Sequence, residues 1–386
     1  MSRWFRVALF TFAVSLQAQA REPVVIGETR RLRSAILNEE RTYAVHLPTG
    51  YAGSGERYPV LFLLDAQTHF AHVVGSSSYL ADQGEIPPLI VVGLNSTVRV
   101  RDFTPTDWPQ AWKGGGGAAK FRAFLAKELL PEVERTFRTD GFRILAGHSA
   151  SGQFALYALE SEPSLFQAYF ALSPSLDWDG NLPARGLEQA FDRKPDVHAF
   201  AFVARCDDRG RALADFDRLV EIFRTKAPAG LRWKSQGYDL ETHGSVALVG
   251  TIDALRALYA GWRPPEGLAE KGLAEKGLAA VEAYYAELSR TFGRTVPVPE
   301  AVVNDLAYQA LEGKRTQDAL ALFRRNVAAH PGSPNAYDGL AEALAADGQH
   351  EAAVAAQTTG VRLARQASHP QLAEFEKRLK RLKQKP

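Results

Sequence analysis

Arg143-Ile144-Leu145-Ala146-Gly147-His148-Ser149-Ala150-Ser151-Gly152 sets out a strand, a sharp turn and the start of a helix around one serine. Residues 142–146 are an apolar run of strand length, Gly147 and Gly152 bracket Ser149, and residues 153–159 resume with helix-compatible side chains. A serine presented on such a turn sits in a strained backbone conformation, and only small flanking residues let strand and helix approach closely. The usual spacing is G-x-S-x-G. Here Ser151 holds the fifth position and the glycine follows it, so the pattern is met with one displacement.

Outward from this turn the chain alternates strand-like and helix-like stretches. Residues 42–47 alternate in the strand manner and stop at Pro48-Thr49-Gly50-Tyr51, while residues 58–64 and 89–94 are unbroken apolar runs suited to strands buried on both faces. Phe121, Phe124, Leu125, Leu129, Val133 and Phe137 recur at helical spacing. Two further runs, 168–172 and 198–203, follow the serine. Strands alternating with helices predict a mostly parallel sheet covered on both faces, an α/β sandwich whose ligands bind beyond the carboxyl ends of the strands. Ser149, Asp65 and Asp207 all fall just after strand-like runs, which places them along one edge.

A chain of 386 residues fits roughly two domains, and 46% hydrophobic content with 21 Phe and 6 Trp supplies a real core. Residues 1–20 read as a secretory signal peptide: basic Arg3 and Arg6, a short apolar run, then Ala18-Gln19-Ala20 as the cleavage site, with cleavage expected after Ala20. No later segment reads as membrane-spanning. The formal net charge of +2 falls to zero once Arg3 and Arg6 are removed, which gives no reason to expect nucleic acid as a partner. Cys206 is the only cysteine, so no internal disulfide forms, and export without disulfides points to a periplasmic or secreted bacterial protein. No histidine–carboxylate cluster has ligand spacing, and neither a metal nor another cofactor is expected.

Character changes after residue 263. Residues 264–278 carry the tandem Gly-Leu-Ala-Glu-Lys, read as a linker or the lead-in to a helix, and residues 279–386 are alanine-rich and helical. Laid on itself at an offset of about 34 residues, the period of tetratricopeptide hairpins, this segment matches Leu306-Ala307 to Leu340-Ala341 and Ala319 to Ala353. Two such units are fewer than the roughly three needed for independent stability. The tail is therefore expected to lean on the α/β domain, residues 21–263, or on a partner protein or second copy.

A serine nucleophile needs a base, usually a histidine oriented by a carboxylate. Only His198 and His243 follow Ser149 within the α/β portion; His198 opens a strand-like run, whereas His243 lies in the polar stretch 238–245. A loop histidine late in the domain fits the chain order nucleophile, acid, histidine, and His243 is the candidate. Asp207 and Asp208 follow the strand-like run 198–203, and either is expected to orient His243, with Asp208 favoured as the deeper in its loop. Oxyanion donors are expected from the backbone N–H of Ala150 and from Ala66 or Gln67, after the run ending at Leu64. Asp65 either braces that loop or caps a turn. Asn95, Arg99, Arg101 and Trp178 are candidates to line the cleft, and Gly114-Gly115-Gly116-Gly117 suggests a mobile loop.

Residues 34–41 leading to Leu47-Pro48-Thr49-Gly50-Tyr51, the run 58–65, Gly147-His148-Ser149, Ser173-Pro174-Ser175 and Glu241-Thr242-His243-Gly244-Ser245 together resemble an esterase family of the α/β-hydrolase superfamily. That family includes enterochelin esterase-like trilactone hydrolases, feruloyl esterases and the mycolyltransferase antigens. The resemblance covers roughly residues 31–262. It implies an α/β-hydrolase sandwich with Ser149 as nucleophile and His243 as base; the acid is less uniform there, some members working with a serine–histidine dyad. Ala66 stands where members often have glycine, and its Cβ is expected to narrow the oxyanion loop. The implied activity is hydrolysis of a small-molecule carboxylic ester, a siderophore ester, aryl ester or acylated sugar, through an acyl-serine. Acyl transfer through the same intermediate, or a scaffold acting through the helical tail, are the alternatives.

Overall fold

The computed structural model describes residues 23–53, 55–193, 196–265, 278–367 and 369–384. Residues 1–20, expected to be a signal peptide, and the Gly-Leu-Ala-Glu-Lys tandem lie outside them. An eight-stranded sheet runs β1-β2-β4-β3-β5-β6-β7-β8, built from β1 (Glu28–Ser34), β2 (Glu39–His46), β3 (Tyr58–Leu63), β4 (Ile90–Leu94), β5 (Thr139–His148), β6 (Ala168–Leu172), β7 (Ala199–Arg205) and β8 (Leu231–Gly237). β2 pairs antiparallel with β1 and β4; all other pairings are parallel. This is the mostly parallel α/β sandwich the sequence predicts.

Alternate side chains of the central strands go to opposite faces, as the two-residue period of a strand requires. Val60, Phe62, Ile90, Val92, Leu145, Tyr169 and Val203 join one core. It is covered by α2 (Arg99–Phe103), α3 (Ala118–Phe124), α4 (Leu130–Thr136), α5 (Ala150–Ser161), α6 (Trp178–Asp192) and α7 (Gly210–Lys226). Leu61, Leu63, Val91, Ile144, Phe170 and Phe202 join the other, under α1 (Ala66–Asp82) and α8 (Val246–Leu258). All six apolar residues expected on one helix between 121 and 137 are buried. That helix is broken by a π turn at Leu125–Leu129, directly before Pro131, which has no N–H to give to the turn behind it.

The tail comprises α9 (Leu278–Phe292), α10 (Glu300–Glu312), α11 (Thr316–Ala329), α12 (Pro334–Ala346), α13 (His350–Gln366) and α14 (Leu372–Gln384). α10 and α12 start at 300 and 334, α11 and α13 at 316 and 350, so the 34-residue offset is carried by two helical hairpins. Gly339 lets them close: a Cβ there would stand 2.2 Å from the Phe323 ring. The tail continues the second core, with Phe292 packed against Phe142, Tyr259 and Trp262 at centroid distances of 6.0, 5.3 and 5.8 Å. Arg294 is ion-paired with Asp140, both side chains about nine-tenths buried. Among the described residues no helix is long and apolar enough to cross a membrane.

Candidate active site

Ser149 directly follows β5 and stands at the N-cap of α5 with φ 62° and ψ −123°, a conformation a non-glycine residue adopts only under constraint. Gly147 permits it, because a Cβ there would fall 2.2 Å from the Ser151 carbonyl oxygen. Ser151, the residue displacing the usual glycine, is fully buried. Its hydroxyl accepts from the His148 N–H (2.9 Å) and donates to Asp65 (2.7 Å). Asp65, buried and at φ 55°, makes no side-chain cap of α1. Its carboxylate instead takes a bidentate pair from Arg99, at 2.9 and 3.0 Å. Asp65 thus braces the loop after β3 and ties it to the serine turn.

Two helix N-termini meet here. Ala150 opens α5 and Ala66 opens α1, and the N–H groups of Ala150, Ala66 and Gln67 have no acceptor among the described residues. Donors left free by helix geometry, at the positive ends of two helix dipoles, suit a developing oxyanion. The Gln67 side chain accepts from the Ser96 N–H at 3.1 Å and fixes the neighbouring loop. The Ala66 methyl does not narrow this corner. It lies against Gly93, where an added Cβ would come within 2.7 Å of it, so the glycine on β4 makes the room.

His243 is exposed on the loop between β8 and α8. Its carbonyl oxygen is 2.5 Å from His148 Nε2 and the two rings lie 4.6 Å apart, so His148 donates from Nε2 and holds the loop. Burial pushes the His148 ring down to about 4, keeping it neutral. His69 lies beyond it at 5.3 Å, with His72 bonded behind at 3.0 Å. Ser149 Oγ is turned toward Ser175 Oγ at 3.5 Å and makes no hydrogen bond to His243 here.

Asp207 and Asp208 do follow β7, but neither is hydrogen-bonded to His243. The Asp207 side chain is exposed, and its backbone N–H joins Glu241 O at 2.9 Å. The Asp208 carboxylate meets Cys206 Sγ at 3.3 Å. What touches His243 Nδ1 is Ser173 Oγ, at 3.0 Å. The only advance signal was the Ser173-Pro174-Ser175 motif, which says nothing of orientation.

Of the cleft candidates, Arg99 alone borders the site, through Asp65. Asn95 is tied back to Thr42 at 3.2 Å, and Arg101 pairs with Glu39 and Asp102 at 2.7 and 2.8 Å, so both are spent on the frame. Trp178 is buried, donating to Thr106 at 3.1 Å and packing on Trp108. The glycine run expected to be mobile is pinned: Gly114 and Gly115 donate to Asp107 at 3.2 and 3.1 Å, and a Cβ on Gly115 would sit 2.5 Å from Thr106 O. Close approach calls for the glycine at 115, and a φ of 87° calls for the one at 114. No group of metal ligands occurs among the described residues.

A serine on a strained strand-to-helix turn, at the carboxyl edge of a sheet in this strand order, defines an α/β-hydrolase-like protein. The family model "Putative esterase" matches residues 34–217. An IroE-like serine hydrolase of known structure from Shewanella oneidensis is 30% identical, with a TM-score of 0.67 over 77% of this chain and 97% of that one. The ferri-bacillibactin esterase BesA of Bacillus subtilis is 34% identical over 171 residues, 37% of this chain and 56% of that protein. The chain spans about half the length of the curated relatives it matches. An uncharacterised protein from Capnocytophaga ochracea shares the fold over 93% of this chain and all of its own, at 16% identity and a TM-score of 0.61. The chain belongs to the esterase family of that model.

Proposed function

We propose that this chain is a serine esterase that cleaves a carboxylic ester through an acyl-Ser149 intermediate. The observation that carries the reading is Ser149 at φ 62° on the turn into α5, tied through Ser151 and Asp65 to the start of α1, with the Ala150 and Ala66 N–H groups lacking an acceptor among the described residues. In the reaction Oγ turns from Ser175 to His243, a contact that in enzymes often tightens only with substrate bound. His243 Nε2 takes the serine proton as Oγ attacks the ester carbonyl. The oxyanion sits on the Ala150 and Ala66 or Gln67 amides, and the proton passes to the leaving alcohol; water then repeats the cycle and releases the acid.

The substrate class best supported is a siderophore ester, by the likeness to a ferri-bacillibactin esterase. The 34-residue spacing of α10–α13 supports a tetratricopeptide-like tail, and the leader-like residues 1–20 support export to the periplasm. The test is direct. Ser149→Ala should abolish hydrolysis of p-nitrophenyl acyl esters and of ferric trilactone siderophores, and should abolish fluorophosphonate labelling. Undiminished labelling of that variant overturns the assignment.

A further inference from the structure

The base of a serine hydrolase must carry its proton on Nδ1, so that Nε2 is free to take the nucleophile's proton, and some acceptor must hold it there. A carboxylate usually does so. Here the acceptor is a hydroxyl whose own hydrogen has somewhere to go. Ser173 Oγ lies 3.0 Å from His243 Nδ1 and 3.5 Å from Cys206 Sγ, and Cys206 Sγ lies 3.3 Å from Asp208 Oδ1. We propose that Ser173 is the residue that positions His243, and that Cys206 links it to Asp208, so that the Asp208 carboxylate acts at a distance through two buried hydrogen-bond donors.

Each contact then has one consistent direction. His243 Nδ1–H donates to Ser173, the Ser173 hydroxyl donates to Cys206, and the thiol donates to the Asp208 carboxylate, which is acceptor only. Every donor gives one proton and no proton leaves its atom; the chain polarises rather than transfers. Ser173 and Cys206 are 95% and 97% buried, so water does not compete for these bonds. Burial, with Asp208 and Asp207 nearby, raises the Cys206 thiol above its ordinary value and keeps it a donor through neutral pH.

The backbone holds the arrangement. Ser173 sits just past β6 at φ 41°, and its N–H is bonded to Ala204 O at 2.8 Å. The same strand end accepts the Ser149 N–H at Leu172 O, 3.0 Å. Nucleophile and positioning residue therefore hang from adjacent residues of one strand. The Asp207 N–H to Glu241 O bond joins the loop carrying Asp208 to the loop carrying His243. Conformational freedom of the relay is thereby confined to side-chain rotation.

This inference rests on the esterase reading, and the experiment separates the two. The Nδ1–H proton resonance of His243, assigned by its loss in His243→Ala, is followed by NMR in the full chain beside kcat, KM and the pH profile. Ser173→Ala should lose that resonance and lower kcat about tenfold to hundredfold, less than the ~10⁴ expected on removing a direct carboxylate, with KM little changed. Ser173→Asp, tolerated at positive φ, should restore the resonance and raise the acidic-limb pKa by about one unit. Cys206→Ser, which keeps a donor in the chain, should lose less than Cys206→Ala. Should wild type hydrolyse no ester and escape fluorophosphonate, the esterase reading fails while the resonance still reports the contact. If wild type is active and Ser173→Ala or, should that variant not fold, Cys206→Ala keeps the wild-type pH profile and kcat within about twofold, the relay is refuted and the esterase reading stands.

Discussion

Ser151→Ala should destabilise the protein and slow it together, although Ser151 touches no substrate. The side chain is fully buried, and its hydroxyl makes one charge-assisted bond, to Asp65 at 2.7 Å, and receives one backbone N–H, from His148 at 2.9 Å. A hydrogen bond to a charged group contributes about 1.5–3 kcal/mol, and a buried N–H left without an acceptor costs about 1–3 kcal/mol. Alanine returns roughly 0.5 kcal/mol in helix propensity at the start of α5. The net loss should be about 3 kcal/mol, a large part of a typical domain's 5–15 kcal/mol. Asp65 would keep Arg99 but lose its tie to the serine turn, so the Ala66 amide would no longer be registered against Ala150. A drift of about an ångström in an oxyanion donor is enough to cost kcat tenfold or more. Urea unfolding and ester kinetics on Ser151→Ala, Asp65→Asn and the double variant measure both effects. A coupling of about 1.5–3 kcal/mol between the two sites is expected; additive losses, or a Ser151→Ala loss under about 1 kcal/mol, would refute the account.

Gly93→Ala should cost about 1–3 kcal/mol and depress kcat, because its Cβ would meet Ala66 Cβ and the Phe70 ring at 2.7 Å. Adding Ala66→Gly should recover much of the loss by removing one of the two clashes, as paired melting curves would report. Arg294→Ala leaves the Asp140 carboxylate buried and unpaired, and should cost about 3–5 kcal/mol in the transition that includes the tail, read by calorimetry. Burial also holds the His72 and His148 rings down to about 4, against 6.5 in the unfolded chain. The unfolded chain therefore takes up more protons between those values. Stability from this source is complete above about pH 6.5 and falls as pH drops toward 4. His72→Gln should flatten the melting temperature measured across that window.

The legible parts of the sequence were those where one residue type has one physical use. Runs such as 58–64 and 168–172 admit only a strand buried on both faces, and Gly147 before Ser149 admits only a turn too tight for a Cβ. The edge strands β1 and β8 escaped because edges carry charge to discourage further pairing: Glu-Thr-Arg-Arg-Leu-Arg-Ser and Leu-Arg-Trp-Lys-Ser-Gln-Gly lack the apolar runs of the centre. The orienting partner of His243 escaped for a different reason. Asp207 and Asp208 occupy the expected place in the chain, but reach depends on the few ångströms between loop tips, and Ser173 and Cys206 fill that gap.

Ser151 joins these observations. In the sequence it is a departure from G-x-S-x-G, and in the structure it is the contact by which three loops find one another. Asp65 fixes the loop of α1, His148 fixes the loop of His243 through its Nε2, and Ser151 holds both residues, one by its hydroxyl hydrogen and the other by its oxygen. A glycine there would allow the turn but leave Asp65 with Arg99 alone, whose side chain is 42% exposed. The displaced glycine, Gly152, still meets the need for close packing, since a Cβ on it would come within 3.2 Å of Gly147 O, Leu172 O and Pro174 Cα. Separating the two tasks, packing to Gly152 and bracing to Ser151, lets the turn depart from the usual spacing while the nucleophile keeps its place.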